Sequence, residues 1–264
     1  MPESQRHHAR TLAGASVIVT RPAADAAALI RAANSRGAVA VRLPGTRIRI
    51  IDDTVAARRA LIAAKSASFW IFTSPNAVRY CRQLLGEVPA AKWPRALAVG
   101  AGTRQALARY GIDALTPLGA QNSEGLLAEP ALADLQGKFI AIVDAPGGRD
   151  LLAPALRERG ARVERIAVYQ RLPPRLNTRH FSNLAAAPRP WISLVSSSVI
   201  LNHLCAALPT DLQARWRREA LIVSSARLAA EAEALGFTDV HEARSALGAD
   251  LLDAAERALS RHRI

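Results

Sequence analysis

The chain has 264 residues, of which 50% are hydrophobic, and this is enough for one large domain or two smaller ones. Its 35 lysines and arginines outnumber its 22 acidic residues, and only three of the 35 are lysines, so guanidinium groups carry most of the net charge of +13. Guanidinium binds carboxylate and phosphate in a fixed two-pronged geometry, which indicates an anionic partner. Two cysteines exclude a disulfide framework or a zinc finger, and the lack of any apolar run of about 18 residues excludes a membrane span.

The N-terminal residues 1–11 are polar and basic, and we predict that they form a disordered tail. The apolar stretch Leu12–Thr20 resembles a secretory signal, but it stops at Arg21-Pro22 and a similar stretch recurs inside the chain. We therefore interpret this stretch as a strand of the fold and expect a cytoplasmic protein.

Short aliphatic runs alternate with amphipathic stretches along the whole chain. Several runs are apolar at consecutive positions, as is typical of parallel strands covered by helices on both faces. One helix is predicted between Pro22 and Gly37, where glycine is expected as a left-handed C-terminal cap. The alternation predicts an α/β fold with parallel sheets. In chain order, the predicted strands are Ser16–Thr20, Ala38–Leu43, Ser68–Thr73, Ala96–Gly100, Phe139–Val143, Val163–Tyr169, Trp191–Val195 and Ala220–Ser224.

An internal repeat divides the chain into a short module, a long module, and then both again. The repeat predicts two similar α/β domains, but it leaves open which short module joins which long module. Matching residues lie roughly 120 positions apart: Gly14 and Gly137, Val19 and Val143, Pro22 and Pro146, Arg36-Gly37 and Arg159-Gly160, Trp70-Ile71 and Trp191-Ile192, and Trp93 and Trp216.

Two connectors, Pro44–Arg49 and Val168–Pro174, are extended, marked by proline, and placed at matching points of the repeat. They suit a two-stranded tether that the chain crosses once in each direction, and one domain is then discontinuous. In such a protein we expect the ligand in a cleft at the carboxyl ends of both sheets.

Two glycine-containing loops are candidate anion sites. Gly100-Ala101-Gly102 is half of a dinucleotide fingerprint, but Gln105 stands where the third glycine belongs, so we expect exposed N–H groups at a helix N-terminus rather than a nucleotide site. The loop Asp144–Asp150 is either a solvated turn or an anion-binding loop with one arginine.

Small hydroxyl residues follow several predicted strands, at Thr73-Ser74, Thr103, Ser196-Ser197-Ser198 and Ser224-Ser225. A single hydroxyl at such a turn is most simply a helix cap. Four such turns on two similar domains instead indicate a hydrogen-bonding rim around a shared cleft.

The remaining reactive residue types are sparse. Tyr169, in a tether segment, is either a core residue or a general acid. Cys81 and Cys205 fall on amphipathic helices and are expected to be inert thiols. The histidines show no metal-ligand spacing, and the arginines are scattered without a groove-reading motif, which disfavours nucleic acid as the partner.

Five motifs follow one another along the chain: Phe72-Thr73-Ser74-Pro75-Asn76-Ala77-Val78, Val99-Gly100-x-x-Thr103, Gly147-Gly148-Arg149, Val168-Tyr169 and Ser224-Ser225-x-Arg227-Leu228-Ala229. Taken in this order, they resemble the uroporphyrinogen-III synthase family, and the resemblance extends from Val17 to about Leu259. It implies two flavodoxin-like parallel-sheet lobes joined by a two-stranded β tether, with residues 12–44 and 174–264 in a discontinuous first lobe and 48–170 in the second.

The resemblance also implies a lyase reaction: hydroxymethylbilane, a linear tetrapyrrole with eight carboxylates, is cyclised with inversion of its D ring and loss of water. No metal, organic cofactor, membrane partner or nucleic-acid partner is expected. The chain is expected to be a monomer. The alternative interpretation is a two-lobed, non-catalytic binding protein for a small polyanion.

By the same resemblance, Tyr169 would assist departure of the hydroxyl as water. Two departures from the family pattern stand out: many members have Arg-Gly in place of Asp144-Ala145, and many have a Thr-Ser pair within the segment that is Ser196-Ser197-Ser198 here. The implied substrate-binding residues are Arg21, Thr73, Ser74, Asn76, Gly100, Thr103, Gly147, Gly148, Arg149, Ser196, Ser197, Ser198, Ser224 and Ser225.

Overall fold

The computed structural model of the chain describes residues 10–261 except 87, 90, 91, 118, 148 and 149, and it leaves the side chains of residues 23–25 undescribed. Most of the predicted tail, residues 1–11, lies outside the described residues. The last of these residues, Thr11, donates a hydrogen bond to Glu256. The chain divides into two compact units, one comprising the described residues of Met1–Arg47 and Leu172–Ile264 and the other Ile48–Arg171.

Strands and helices alternate along both units, as the hydrophobic pattern predicts. The strands are β1 (Ser16–Val19), β2 (Val39–Arg42), β3 (Arg47–Ile50), β4 (Phe69–Phe72), β5 (Arg95–Ala98), β6 (Ala114–Leu115), β7 (Phe139–Asp144), β8 (Arg162–Ala167), β9 (Tyr169–Leu172), β10 (Trp191–Val195), β11 (Ala220–Val223) and β12 (Val240–Glu242). The α-helices are α1 (Ala23–Ser35), α2 (Thr54–Ala63), α3 (Pro75–Leu85), α4 (Ala101–Ala108), α5 (Ser123–Leu127), α6 (Leu152–Glu158), α7 (Thr178–Ala185), α8 (Ser198–Ala207), α9 (Thr210–Trp216), α10 (Ala226–Ala234) and α11 (Gly248–Arg261).

The sheet of the first unit is parallel, with the strand order β2-β1-β10-β11-β12. Counted in this unit's own chain order, that is 2-1-3-4-5, the arrangement of flavodoxin-like folds. The sheet of the second unit is also parallel, with the order β8-β7-β4-β5-β6. Here β7 and β8 correspond to β1 and β2, and β4, β5 and β6 correspond to β10, β11 and β12. The two units therefore contain the same sheet with its two modules joined in the opposite order, which explains the internal repeat.

The chain passes from one unit to the other twice, between Arg47 and Ile48 and between Arg171 and Leu172. These crossings lie within β3 and β9, which pair with each other in a two-stranded antiparallel sheet. The α/β class, the parallel sheets and the two-stranded tether predicted from the sequence are confirmed.

Each large sheet is buried on both faces, because its strands are apolar at consecutive positions. In β4, Trp70 and Phe72 pack into a core on one face, while Phe69 and Ile71 pack into a second core on the other. Burying an aliphatic or aromatic side chain of this size contributes about 1.5–3 kcal/mol. These two cores fix the strands, and with them the loops at their carboxyl ends. No helix among the described residues is long and apolar enough to cross a bilayer.

Candidate functional site

In the second unit, a cavity of about 340 Å³ lies at the carboxyl ends of the strands. The neighbouring strands β4 and β7 lead into connections on opposite sides of the sheet, and this switch point is where ligands bind in open parallel sheets. Thr73, one of the predicted substrate-binding residues, lines the cavity. The complete lining is Thr73, Val99, Gln121, Asn122, Ser123, Ile142, Asp144, Ala145, Asp150, Leu152, Ala153, Arg165 and Arg171.

Ser74 follows Thr73 and has two roles. It is the N-cap of α3, where its Oγ accepts a hydrogen bond from the backbone N–H of Ala77 at 3.1 Å, and Pro75 occupies the first helical position. The same Oγ lies 3.0 Å from Oη of Tyr169. Ser74 is therefore a helix cap whose hydroxyl also meets a phenol, and the hydrogen-bonding rim stays a prediction. Asn76, also predicted to bind substrate, is the second residue of the helix.

Tyr169 is the first residue of β9 and is only 1% exposed. Its ring stacks on that of Tyr80, with 5.9 Å between the centroids and 20° between the planes. Nη2 of Arg171 donates a hydrogen bond to the phenol oxygen at 2.9 Å, and the guanidinium carbon lies 5.3 Å from the centre of the ring. The phenol is therefore held between a serine hydroxyl and a cation.

The last residue of β7, Asp144, is a buried carboxylate that lines the cavity. Asp144 accepts hydrogen bonds from Nε and Nη2 of Arg165, and Nη1 of Arg165 contacts Asp150 at 3.1 Å. Burial raises the pKa of Asp144, and the hydrogen bond and charge of Arg165 oppose this rise without cancelling it. The predicted binding residue Gly147 has a left-handed backbone with φ of 75°. Gly148 and Arg149, the other predicted residues of the loop after β7, lie outside the described residues.

One N–H group at the helix N-terminus after β5 is already paired, because the N–H of Ala101 donates to Oε1 of Gln121. Our expectation of exposed N–H groups is therefore not met at Ala101, and it stays a prediction for the rest of this turn. Gly100 is the N-cap of this helix and provides no side-chain cap. Thr103 is 4% exposed within α4.

The first unit carries its hydroxyl residues at the carboxyl ends of β10 and β11. Two serines are N-caps: Ser197 accepts from the N–H of Ile200, and Ser225 accepts from that of Leu228, both at 3.4 Å. Ser198 accepts from Nη1 of Arg227 at 3.0 Å.

Nearby in this unit, Ser224 donates to the carbonyl of Ser196 at 3.3 Å. Arg21 follows β1 and donates to the carbonyl of Ala246. The predicted residues of this unit therefore lie at one edge of its sheet, since parallel strands end on the same side.

The chain is similar to one protein family along most of its length. A family model described as uroporphyrinogen-III synthase HemD matches residues 27–253. The chain belongs to the uroporphyrinogen-III synthase family. It is 31% identical over 254 residues to the uroporphyrinogen-III synthase of Salmonella typhimurium strain LT2, in an alignment that covers 91% of this chain and 100% of that protein. The uroporphyrinogen-III synthase family predicted from the sequence motifs is thereby confirmed.

Two solved structures of the uroporphyrinogen-III synthase family share the fold. A mutant enzyme from the extremely thermophilic bacterium Thermus thermophilus has a TM-score of 0.56 at 23% identity, covering 94% of this chain and 99% of that one. The enzyme from Helicobacter pylori 26695 has a TM-score of 0.60 at 15% identity, covering 91% and 97%. The family match and the curated relative give no support to the alternative of a non-catalytic binding protein.

Several polar residues around the cavity of this uroporphyrinogen-III synthase family member were missed in the sequence. Asn122 was detectable, because an asparagine that precedes a short amphipathic run is an N-cap signal, and its side chain does accept from the N–H of Gly125 at 2.8 Å. Arg165 and Arg171 gave no signal among the many arginines of the chain. Gln121 was missed because its side chain contacts the N–H of Ala101, 20 residues earlier in the chain, and the local sequence does not reveal this contact.

Proposed function

We propose that the chain cyclises hydroxymethylbilane with inversion of the D ring, forming uroporphyrinogen III and water, and so acts as a lyase of porphyrin and heme biosynthesis. The observation that carries this proposal is the match to the uroporphyrinogen-III synthase family along residues 27–253. The hydroxyl residues and arginines at the carboxyl ends of the parallel strands support it, because an acidic substrate needs such donors.

The substrate has eight carboxylates, and a net charge of +13 favours its approach to the protein. We propose that hydroxyl groups, guanidinium groups and backbone N–H groups at the two sheet edges hold its acetate and propionate arms. Arg227, which donates to Ser198, extends this set beyond the sequence prediction. The residues proposed from the sequence are Arg21, Thr73, Ser74, Asn76, Gly100, Thr103, Gly147, Gly148, Arg149, Ser196, Ser197, Ser198, Ser224 and Ser225.

The chemistry needs one proton donor. In the proposed reaction, the terminal hydroxyl of the bilane accepts a proton, the carbon–oxygen bond breaks, and electrons from the adjacent pyrrole nitrogen form an azafulvene. The substituted carbon of the D ring attacks the electrophilic methylene carbon of the azafulvene, and the resulting spiro intermediate reopens and closes in the inverted sense. Tyr169 supplies the proton in this proposal, because its phenol is the acidic hydroxyl held beside the cavity residue Arg171.

The protein must also control the conformation of the bound bilane. The bilane also closes without inversion, so an effective catalyst must hold the chain with the two reacting carbons aligned. Binding groups that are fixed by secondary structure suit this role, since Ser74, Ser197 and Ser225 are each oriented by the helix that they cap.

The test is incubation of the purified chain with hydroxymethylbilane, followed by separation of the product isomers. We expect the type III isomer in excess over type I, and a rate that EDTA leaves unchanged. An isomer mixture identical to that of the protein-free control would refute the proposed function.

A cytoplasmic location and a monomeric state are part of the proposal. The location is supported by β1, because residues in the stretch that resembles a secretory signal form a buried strand between β2 and β10. Sedimentation of the purified chain tests the monomeric state.

A further inference from the structure

We propose that Ser74, rather than Tyr169, contacts the leaving hydroxyl of the substrate, and that Tyr169 delivers its proton through Ser74. Arg171 is then a positioning residue that donates a hydrogen bond to the phenol of Tyr169. This inference rests on the function proposed above and adds a relay to it. It follows from the direction of three hydrogen bonds and from the difference in exposure between the two hydroxyls.

The direction of the hydrogen bonds follows from the donors available. Arginine has only donors, so Oη of Tyr169 is the acceptor in its 2.9 Å contact with Arg171. The phenol proton then needs an acceptor, and among the described residues the remaining partner of Oη is Oγ of Ser74, at 3.0 Å. If the serine donated instead, the phenol proton would be buried without a partner, at a cost of about 1–3 kcal/mol.

By the same reasoning, the hydroxyl proton of Ser74 takes no part in its hydrogen bonds to Tyr169 and Ala77. Oγ of Ser74 accepts from the N–H of Ala77 and from the phenol of Tyr169, which uses its two acceptor positions. Its own proton is therefore available to a third group. Among the described residues the structure gives Oγ no further partner, so the substrate is the natural acceptor.

The exposure of the two side chains decides which hydroxyl meets the substrate. Tyr169 is 1% exposed, with its ring stacked on Tyr80, whereas Ser74 is partly exposed and directly follows the cavity residue Thr73. A substrate oxygen can reach the serine without moving the tyrosine.

The proposed step balances in atoms and charge. Ser74 gives its proton to the leaving hydroxyl, the carbon–oxygen bond breaks as the pyrrole nitrogen supplies electrons, and water departs. Tyr169 returns a proton to Ser74, and the phenolate that forms faces the guanidinium of Arg171, which stabilises it. When the closed macrocycle regains its aromatic pyrrole, the proton it loses restores the phenol.

The test is a double-mutant cycle on single-turnover rates with hydroxymethylbilane. We expect Ser74→Ala and Tyr169→Phe each to slow the reaction by about 10²–10⁴-fold. The double variant should be no slower than the slower single variant, because both changes break one relay. Ser74→Thr retains the hydroxyl and should recover most of the rate. Losses that multiply in the double variant, or a Ser74→Ala rate within about twofold of wild type, would overturn the relay.

A capping control separates chemistry from folding. Asp53 caps α2 by accepting from the N–H of Ala56 at 2.8 Å, so Asp53→Ala removes a cap of the same kind outside the cavity lining. We expect Asp53→Ala to lose stability comparable to Ser74→Ala without losing rate. A similar rate loss in both variants would refute the relay. Failure of the wild-type chain to form type III isomer would instead refute the proposed function.

Arg171 is tested by separating kcat from KM. Because Arg171 is a positioning residue in this proposal, the variant Arg171→Gln should have a kcat about 10- to 100-fold below that of wild type, in line with the loss of one charged hydrogen bond. Its KM should change little. Arg171→Lys should recover part of kcat, since it restores a cation. A raised KM with unchanged kcat would show that Arg171 binds a substrate carboxylate instead, and would overturn the positioning role.

Discussion

Nε of Arg165 donates a hydrogen bond of 3.0 Å to Oδ2 of Asp144, and this carboxylate is 6% exposed at the end of β7. An acid at this position is unexpected beside a cavity proposed to hold carboxylates. The pairing accounts for it, because the guanidinium neutralises Asp144 while its Nη1 reaches on to Asp150.

The first prediction concerns the titration of Asp144. Burial raises its pKa above 3.8, so between pH 3.8 and the raised value the folded state keeps a proton that the unfolded state has lost. The contribution of Asp144 to stability therefore falls as the pH rises through this window. The free energy of unfolding of Asp144→Asn minus that of wild type should increase over the same window, as measured by urea denaturation from pH 3.5 to 7. A constant or falling difference would show that Arg165 outweighs burial.

The second prediction concerns the partner. Arg165→Met should lower the free energy of unfolding by about 1–3 kcal/mol at pH 7, because Asp144 is left buried without its main hydrogen-bond donor. The loss should shrink as the pH is lowered through the raised pKa of Asp144, because the protonated carboxyl group no longer needs a cation. The control is Asp150→Asn, whose exposed side chain predicts a change within about 0.5 kcal/mol. Equal losses for Arg165→Met at pH 4 and pH 7 would contradict this account.

The sequence predicted the long-range organisation of the fold better than its small elements. The main strands stand out because both faces of each sheet are buried, and the left-handed Gly37, with φ of 87°, is where a helix end was predicted. By contrast, β6 and β12 were missed: they are two and three residues long, too short for a pattern to emerge. The joining of modules within each unit depends on the pairing of β1 with β10 and of β4 with β7, and the repeat alone left it open.

At the candidate site, the sequence identified residue types but not their contacts. Ser74 and Tyr169 were each singled out, yet they lie far apart in the chain. Their hydrogen bond exists because β4 and the first residue of β9 belong to one unit. Whether the tyrosine is a core residue or an acid was left open. The structure shows that the ring is buried and that its hydroxyl is hydrogen-bonded, and the acid role stays a prediction. Arg171 was not predicted, because its hydrogen bond to the phenol of Tyr169, two residues earlier in the chain, leaves no pattern in the sequence.

The third prediction concerns the two thiols. Burial strongly raises the pKa of Cys81 on α3, and burial also raises the pKa of the half-buried Cys205, with Arg217 opposing the rise. Because the thiolate is the reactive form, a disulfide reagent at pH 7.5 should label Cys205 slowly and Cys81 only after unfolding. Mass spectrometry of labelled peptides checks the order. Rapid labelling of Cys81 in the native protein would contradict the burial of α3 against the sheet.

The last prediction concerns Glu219, which the sequence did not single out. This carboxylate is 5% exposed and accepts hydrogen bonds from the backbone N–H of Trp191, at 2.8 Å, and from Nε of Arg189. Glu219→Ala should lower the free energy of unfolding by about 1–3 kcal/mol, because the N–H that begins β10 is left buried without an acceptor.

Glu219→Gln keeps an acceptor oxygen for Trp191 and should lose less than the alanine variant. Arg189→Ala should lose at most about 1 kcal/mol, since the arginine side chain is 61% exposed and exposed ion pairs contribute little. Urea denaturation of the three variants ranks these losses. If Arg189→Ala were as damaging as Glu219→Ala, the ion pair rather than the backbone N–H would be what Glu219 stabilises. The site serines follow the opposite end of β10, so the turnover per folded molecule should stay unchanged in all three variants.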